Sequence, residues 1–119
     1  MDKDVKYHKD LAEEGRWAEM SFSLQMANIG SEIQRAIRWK EKGKKDREHR
    51  SAERALELLD LTISEVQRES SRRELAQLRD VMTAFFYDES NNETLGEQIN
   101  RYFYCFAQKA AKERRAKLS

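Results

Sequence analysis

Proline is absent from this 119-residue chain, glycine occurs four times and cysteine once. Without proline, no helix is interrupted by a missing backbone N–H. With so few breakers, the elements are long and the connections few. A lone cysteine, Cys105, excludes an internal disulfide and any Cys-pair metal or redox motif. It makes a reducing cytoplasm the expected location. No apolar run approaches the roughly 18 residues of a membrane-spanning helix. The opening segment Met1-Asp-Lys-Asp-Val-Lys-Tyr-His8 is charged and lacks the apolar centre of a signal peptide. An excess of either charge is missing too: 23 Lys and Arg stand against 22 Asp and Glu, for a net charge of +1.

What is present favours helices. Apolar residues make up 39% of the chain and charged ones 38%. Because the charges balance, this composition describes helices with one wet and one dry face rather than a disordered chain. Helix formers dominate, and Val and Ile are sparse, so no strand stands out. The pattern predicts an all-α fold of four helices, packed as an up-and-down four-helix bundle over residues 11–112. Residues 1–10 are expected to be a flexible N-terminus and residues 113–119 a basic, frayed C-terminus.

The first helix is predicted from about Leu11 to Lys42. Trp17, Met20, Leu24 and Ala27 form one apolar row. Phe22, Met26, Ile29, Ile33, Ala36 and Ile37 form another on roughly the opposite side. A helix apolar on two sides is central in its bundle or shared with a second subunit. Gly30 sits mid-helix at a cost of about 1 kcal/mol against Ala, which suggests close approach of a neighbour or a bend. Gly43 is placed to end this helix in a left-handed conformation, with Asp46 capping the next. Ala52, Ala55, Leu56, Leu59, Ile63 and Val66 then make a single stripe. Ser71-Arg-Arg-Glu74 and Thr94-Leu-Gly-Glu97 read as capping boxes opening the third and fourth helices. Leu75, Leu78, Val81, Met82, Phe85 and Phe86 follow the first box; Leu95, Ile99, Tyr102, Phe103, Phe106 and Ala110 follow the second.

Few residues suggest chemistry. Glu53, Glu57 and Asp60, spaced by four and three, line one side of the second helix beside its apolar stripe. Carboxylate metal sites in bundles use such rows, but with Glu-x-x-His motifs. Neither His8 nor His49 has a glutamate three residues before it, so the row reads first as partners for Arg35, Arg38, Arg72 or Arg79. Asp46-Arg-Glu-His49 places two metal-ligand types one turn apart, but reads more simply as a helix start with Asp as cap and a solvent-facing histidine. Asp88-Glu-Ser-Asn-Asn-Glu93 alternates oxygen-bearing side chains, yet Glu93 and Ile99 stand where a calcium loop needs Gly and Glu, so it reads as a polar connection. Cys105, between Tyr104 and Phe106, reads as a small hydrophobe at a helix boundary. No catalytic, metal or cofactor-binding residue is assigned.

Two clusters are basic, 40–50 and 109–117, and nominate Lys44, Lys45, Arg47, Arg114 and Arg115 as nucleic-acid contacts. Nucleic-acid-binding domains commonly exceed a pI of about 9. This chain has a pI of 7.8, and Glu41, Asp46 and Glu48 dilute the first cluster, so solvated helix ends are the simpler reading. Tyr104 points away from the fourth helix's apolar stripe. With Trp17, Met20 and Leu24 on the first helix, it marks an expected protein–protein interface, most simply that of a homodimer.

Ser23-Leu-Gln-Met-Ala-Asn-Ile-Gly-Ser-Glu-Ile-Gln-Arg-Ala-Ile-Arg-Trp39, Glu53-Arg-Ala-Leu-Glu-Leu-Leu-Asp-Leu-Thr-Ile63 and Arg101-Tyr-Phe-Tyr104 resemble a family of small bacterial all-helical proteins, over most of residues 17–112. That family is distantly similar, in architecture, to the HEPN group of four-helix bundles. Some HEPN proteins pair with a nucleotidyltransferase, which the resemblance implies as a partner. Catalytic members cut RNA with an arginine set several residues ahead of a histidine. Lys42, Gly43 and Lys44 stand where His49 would need that arginine, and none precedes His8. The resemblance therefore implies a non-catalytic member. The leading expectation is a non-enzymatic bundle acting by self-association or protein binding. Nucleic-acid or nucleotide binding as a HEPN-like accessory protein comes second, and a metal enzyme built on Glu53, Glu57 and Asp60 third.

Overall fold

The computed structural model describes residues 7–8, 15–88 and 93–118. Among them the chain is all-helical and has no strand. The helices are α1 (Arg16–Glu19), α2 (Phe22–Glu41), α3 (Lys45–Glu65), α4 (Glu69–Tyr87) and α5 (Glu93–Leu118). None is long and apolar enough to cross a membrane.

The expected first helix is two helices, and its start at residues 11–14 lies outside the described residues. Met20 and Ser21 are extended, with ψ of 146° and 156°. Ser21 Oγ then accepts from the Leu24 N–H at 3.1 Å and caps α2. The break turns α1 inward. Trp17 Nε1 donates to Thr62 Oγ1 at 3.0 Å, and Gln25 Nε2 donates to the Trp17 carbonyl at 2.8 Å.

At the next connection Gly43 has φ of +70°. The Lys44 N–H reaches the Trp39 carbonyl at 2.9 Å and the Gly43 N–H the Lys40 carbonyl at 3.1 Å. This paired closure satisfies the carbonyls at the end of α2. It also restarts the helix early, so Asp46 sits in the first turn of α3 while Lys44 occupies the cap position without a side-chain hydrogen bond. Likewise α4 begins at Glu69, ahead of Ser71. The Arg72 N–H bonds the Arg68 carbonyl as in any helical turn, and the box predicted at Ser71 and Glu74 does not form. α5 is helical from Glu93, which puts Thr94 and Glu97 inside the helix, and it continues through Leu118. Residues 89–92, most of the predicted polar connection, lie outside the described residues.

α2 is central and packs most broadly on α3 and α5, while α4 packs on α3 and meets α5 only narrowly. Met26, Ile29 and Ile33 of α2, Ala52, Ala55 and Leu59 of α3, Leu75, Met82 and Phe86 of α4, and Ile99 and Phe103 of α5 form one core. The α3 stripe is rotated from its predicted setting. Glu48, Ser51, Leu58 and Thr62 are buried, while Leu56, Ile63 and Val66 are half-buried, because α3 lies between α2 and α4. The close neighbour of Gly30 is α5: a Cβ there would lie 2.8 Å from Phe103 Cβ.

Candidate functional site

The acidic side of α3 divides its work among different partners. Asp60 takes Arg79 in a two-pronged contact, with Nε at 2.7 Å and Nη2 at 3.2 Å. That bond to Asp60 raises the Arg79 pKa further. Glu57 holds Tyr7 and His8. The Tyr7 N–H donates to its two oxygens at 3.0 and 3.1 Å, and the His8 N–H to Oε1 at 2.6 Å. His8 Nδ1 lies 3.0 Å from the same oxygen, a contact that places the proton on Nδ1. The Tyr7 hydroxyl donates to Glu53 Oε2 at 2.7 Å, and the Arg54 guanidinium lies 5.7 Å from the Tyr7 ring centre. His8, assigned from sequence to a flexible tail, is thus seated on α3. Of the predicted arginine partners, Arg35 pairs instead with Glu32 at 3.0 Å, and Arg72 donates to the Val66 carbonyl at 2.7 Å.

One turn toward the start of α3, His49 Nε2 lies 3.1 Å from the Phe86 carbonyl, and its ring is 4.7 Å from that of Tyr87. Burial first, then the negative field of Glu53, pushes the Tyr87 hydroxyl above its usual range. His49, expected from sequence to face solvent, is instead a half-buried packing and hydrogen-bonding residue between α3 and α4, because α4 lies against this side of α3. Among the described residues, no group of three or more His, Cys, Asp or Glu side chains is arranged to hold a metal ion.

A cleft of about 650 Å³ opens where α4 and α5 separate. Ile37, Lys40 and Glu41 of α2, Phe85 of α4, and Glu93, Gly96, Glu97 and Asn100 of α5 line it. Lys40 Nζ lies 5.1 Å from the Phe85 ring centre and 3.7 Å from Glu48 Oε2, an ion pair too long for a hydrogen bond. Glu48 is only 4% exposed. Among the described residues, its Oε2 and Asn100 Oδ1 are buried acceptors without a hydrogen-bond donor.

The two basic clusters do not converge. Ser21 donates to Glu113 at 2.7 Å, so the end of α5 lies beside the start of α2. Ile37 and Lys40, at the other end of α2, share the cleft with Glu93 and Gly96. α5 has 26 residues and is therefore about 39 Å long. Exposed Arg114 and Arg115 stand at one end of it, and exposed Lys44, Lys45 and Arg47 at the other.

The four predicted interface residues are also dispersed. Trp17 is 3% exposed and packs inside the chain. Met20 and Leu24 are half-buried, and Tyr104 is 60% exposed. Sequence reasoning missed Phe22, which is 42% exposed although it shares a row with buried Met26 and Ile29. Its place at the first helical position, just past the Ser21 cap, was the available signal, because a neighbouring helix covers an end turn only partly. Phe22 packs edge-on to Phe106 at 5.6 Å, and Phe106 to Tyr102 at 5.4 Å. Cys105 is exposed on α5 rather than packed as a hydrophobe, its Sγ lying 3.6 Å from the Arg101 carbonyl. No family model, curated protein or solved structure matches this chain.

Proposed function

We propose that the protein is a non-catalytic helical interaction module that works by pairing with a second copy of itself, as a dimer, or by binding another protein. The observation that carries this reading is the aromatic row Phe22–Phe106–Tyr102 across the seam of α2 and α5. Phe22 is substantially exposed at its end, while exposed Tyr104 stands on the other side of α5. Aromatic side chains supply large contact area at low entropic cost and are enriched at interfaces. In this reading the four long helices form an up-and-down four-helix bundle with α1 folded against α3, and the protein works in the reducing cytoplasm, where the Cys105 thiol stays free. The resemblance to HEPN-type bundles makes a nucleotidyltransferase the protein partner to try first.

The test is solution mass by light scattering coupled to size exclusion. A dimer that Phe22→Ser converts to monomer, with the helical circular dichroism unchanged, is the expected result. A monomer at every concentration, with no nucleotidyltransferase or other protein retained in a pull-down from its own cells, would overturn the proposal.

A further inference from the structure

The turn between α2 and α3 gathers charge that the amino-acid order disguises. Glu48, one of three acids that dilute the basic run, is buried and turned toward Lys40. It is thereby withdrawn from the surface. The exposed groups left at residues 38–50 are six cations, Arg38, Lys42, Lys44, Lys45, Arg47 and Arg50, against two carboxylates, Glu41 and Asp46. The chain as a whole carries only +1. Its positive charge is therefore gathered at this corner and at the far end of α5, and offset elsewhere.

An aromatic ring lies between the rows of cations. Arg38, in the last turn of α2, and Lys42, its C-cap, are one turn apart, and Arg47 and Arg50 are one turn apart on α3. Trp39 is half-buried; its ring centre lies 5.3 Å from Lys42 Nζ and 4.7 Å from the Arg47 guanidinium carbon. Indole is the strongest cation-binding ring, and here it keeps two flexible cations beside its own surface. The helix dipole accounts for the cations at the end of α2 but not for those that follow them. Lys44, Lys45 and Arg47 stand at the start of α3, where the helix dipole disfavours positive charge.

From this geometry we infer that the α2–α3 corner binds single-stranded nucleic acid: the two cation rows follow the phosphates, and a base displaces Arg47 or Lys42 to stack on Trp39. A backbone-tracking basic surface combined with a stacking aromatic is the arrangement by which unpaired strands are held with little sequence preference. Bare polyanions would use the cations alone, and an acidic protein would have no need of the indole. The site is independent of the Phe22–Phe106 row, which lies toward the opposite end of α2.

The test is fluorescence anisotropy of fluorescein-labelled oligodeoxythymidine titrated with the full chain, with tryptophan emission followed in parallel. Trp17 is buried, so quenching reports Trp39. Binding should weaken steeply with salt. Lys44→Glu with Arg47→Glu should weaken it at least tenfold. Trp39→Leu should weaken it about tenfold and abolish the quenching, as expected for loss of one stacked base. Arg114→Glu with Arg115→Glu, at the far end of α5, should change it less than twofold. The charge variants alter exposed side chains, and circular dichroism checks the folding of every variant. No binding at low salt overturns the inference. So does equal loss from the Arg114 and Arg115 pair, which would mean bulk charge attraction. Binding of heparin or duplex DNA as tight as that of the single strand, and indifferent to Trp39→Leu, also overturns it.

Discussion

Two glycines, each facing a phenylalanine of a neighbouring helix, mark two very different seams. At Gly30 a Cβ would fall 2.8 Å from the root of Phe103, its Cβ, so α2 and α5 approach almost backbone to backbone. At Gly96 a Cβ would meet the far tip of Phe85, its Cζ, at 3.0 Å. There α4 stands off from α5 by the length of a phenylalanine side chain. The first seam is closed and lies in the core. The second leaves the cleft lined by Phe85, Gly96 and Asn100. The same residue pair thus builds a rigid contact or a spacer, depending on which end of the aromatic meets the glycine.

The largest expected break in this comparison comes from truncating the two rings. Phe103→Ala should cost about 3–5 kcal/mol, measured by denaturant unfolding, because the core on both sides cannot collapse into the gap. Phe85→Ala should cost clearly less, since its site already opens on the cleft. Equal losses would mean that the α4–α5 seam is as tightly packed as α2–α5. Next comes Gly30→Ala. Overpacking against Phe103 Cβ costs about 1–3 kcal/mol, and the gain in helix propensity of up to about 1 kcal/mol offsets only part of it. Its melting temperature should fall.

A smaller effect is expected at Tyr102, which ties the looser seam by donating to Glu74 at 3.2 Å. Burial, with the nearby Glu74 carboxylate, pushes the Tyr102 hydroxyl up to about 12 from its usual 10.0. A raised folded-state pKa means that the native state holds this proton more tightly than the unfolded chain does. Its contribution is complete below pH 10.0 and is lost as the pH rises toward about 12. Over that window the stability of the native protein should fall faster than that of Tyr102→Phe, with parallel curves below it. Parallel curves throughout would show that the hydroxyl is as hydrated in the fold as in the unfolded chain. The smallest effect belongs to Gly96→Ala. The Phe85 ring tip can swing into the cleft, and helix propensity favours alanine, so the melting temperature should hold or rise slightly. A fall like that of Gly30→Ala would erase the distinction between the seams.

Much of this arrangement was legible in the amino-acid order. The all-helical class followed from absent proline, balanced charge and apolar periodicity. The turn at Gly43 followed from the need for positive φ, and the buried sets on α4 and α5 largely followed from spacing. The helix starts were less legible. Asp46 and Ser71 are good cap residues, but a helix begins where the preceding connection releases the chain, and backbone closure at Gly43 and the short connector 66–68 released it earlier. The break at Ser21 was hidden because the rows on either side of it continue the helical count.

The candidate sites show the same division. That Glu53, Glu57 and Asp60 share one side of α3 is a consequence of helical spacing alone. Arg79 was among the four arginines expected to meet them, but that they hold Tyr7 and His8 was not legible, because those partners lie far away in the chain and spacing carries no information across such separations. Sequence by itself determined the helices, their apolar faces and the local charge of each segment, since these depend on neighbours within a few residues. Only the tertiary structure decided that Trp17 is buried while Phe22 is exposed, that Glu48 leaves the basic corner, and that the two basic clusters stand a helix length apart. Each of those outcomes depends on which helix lies against which, and long-range packing sets that.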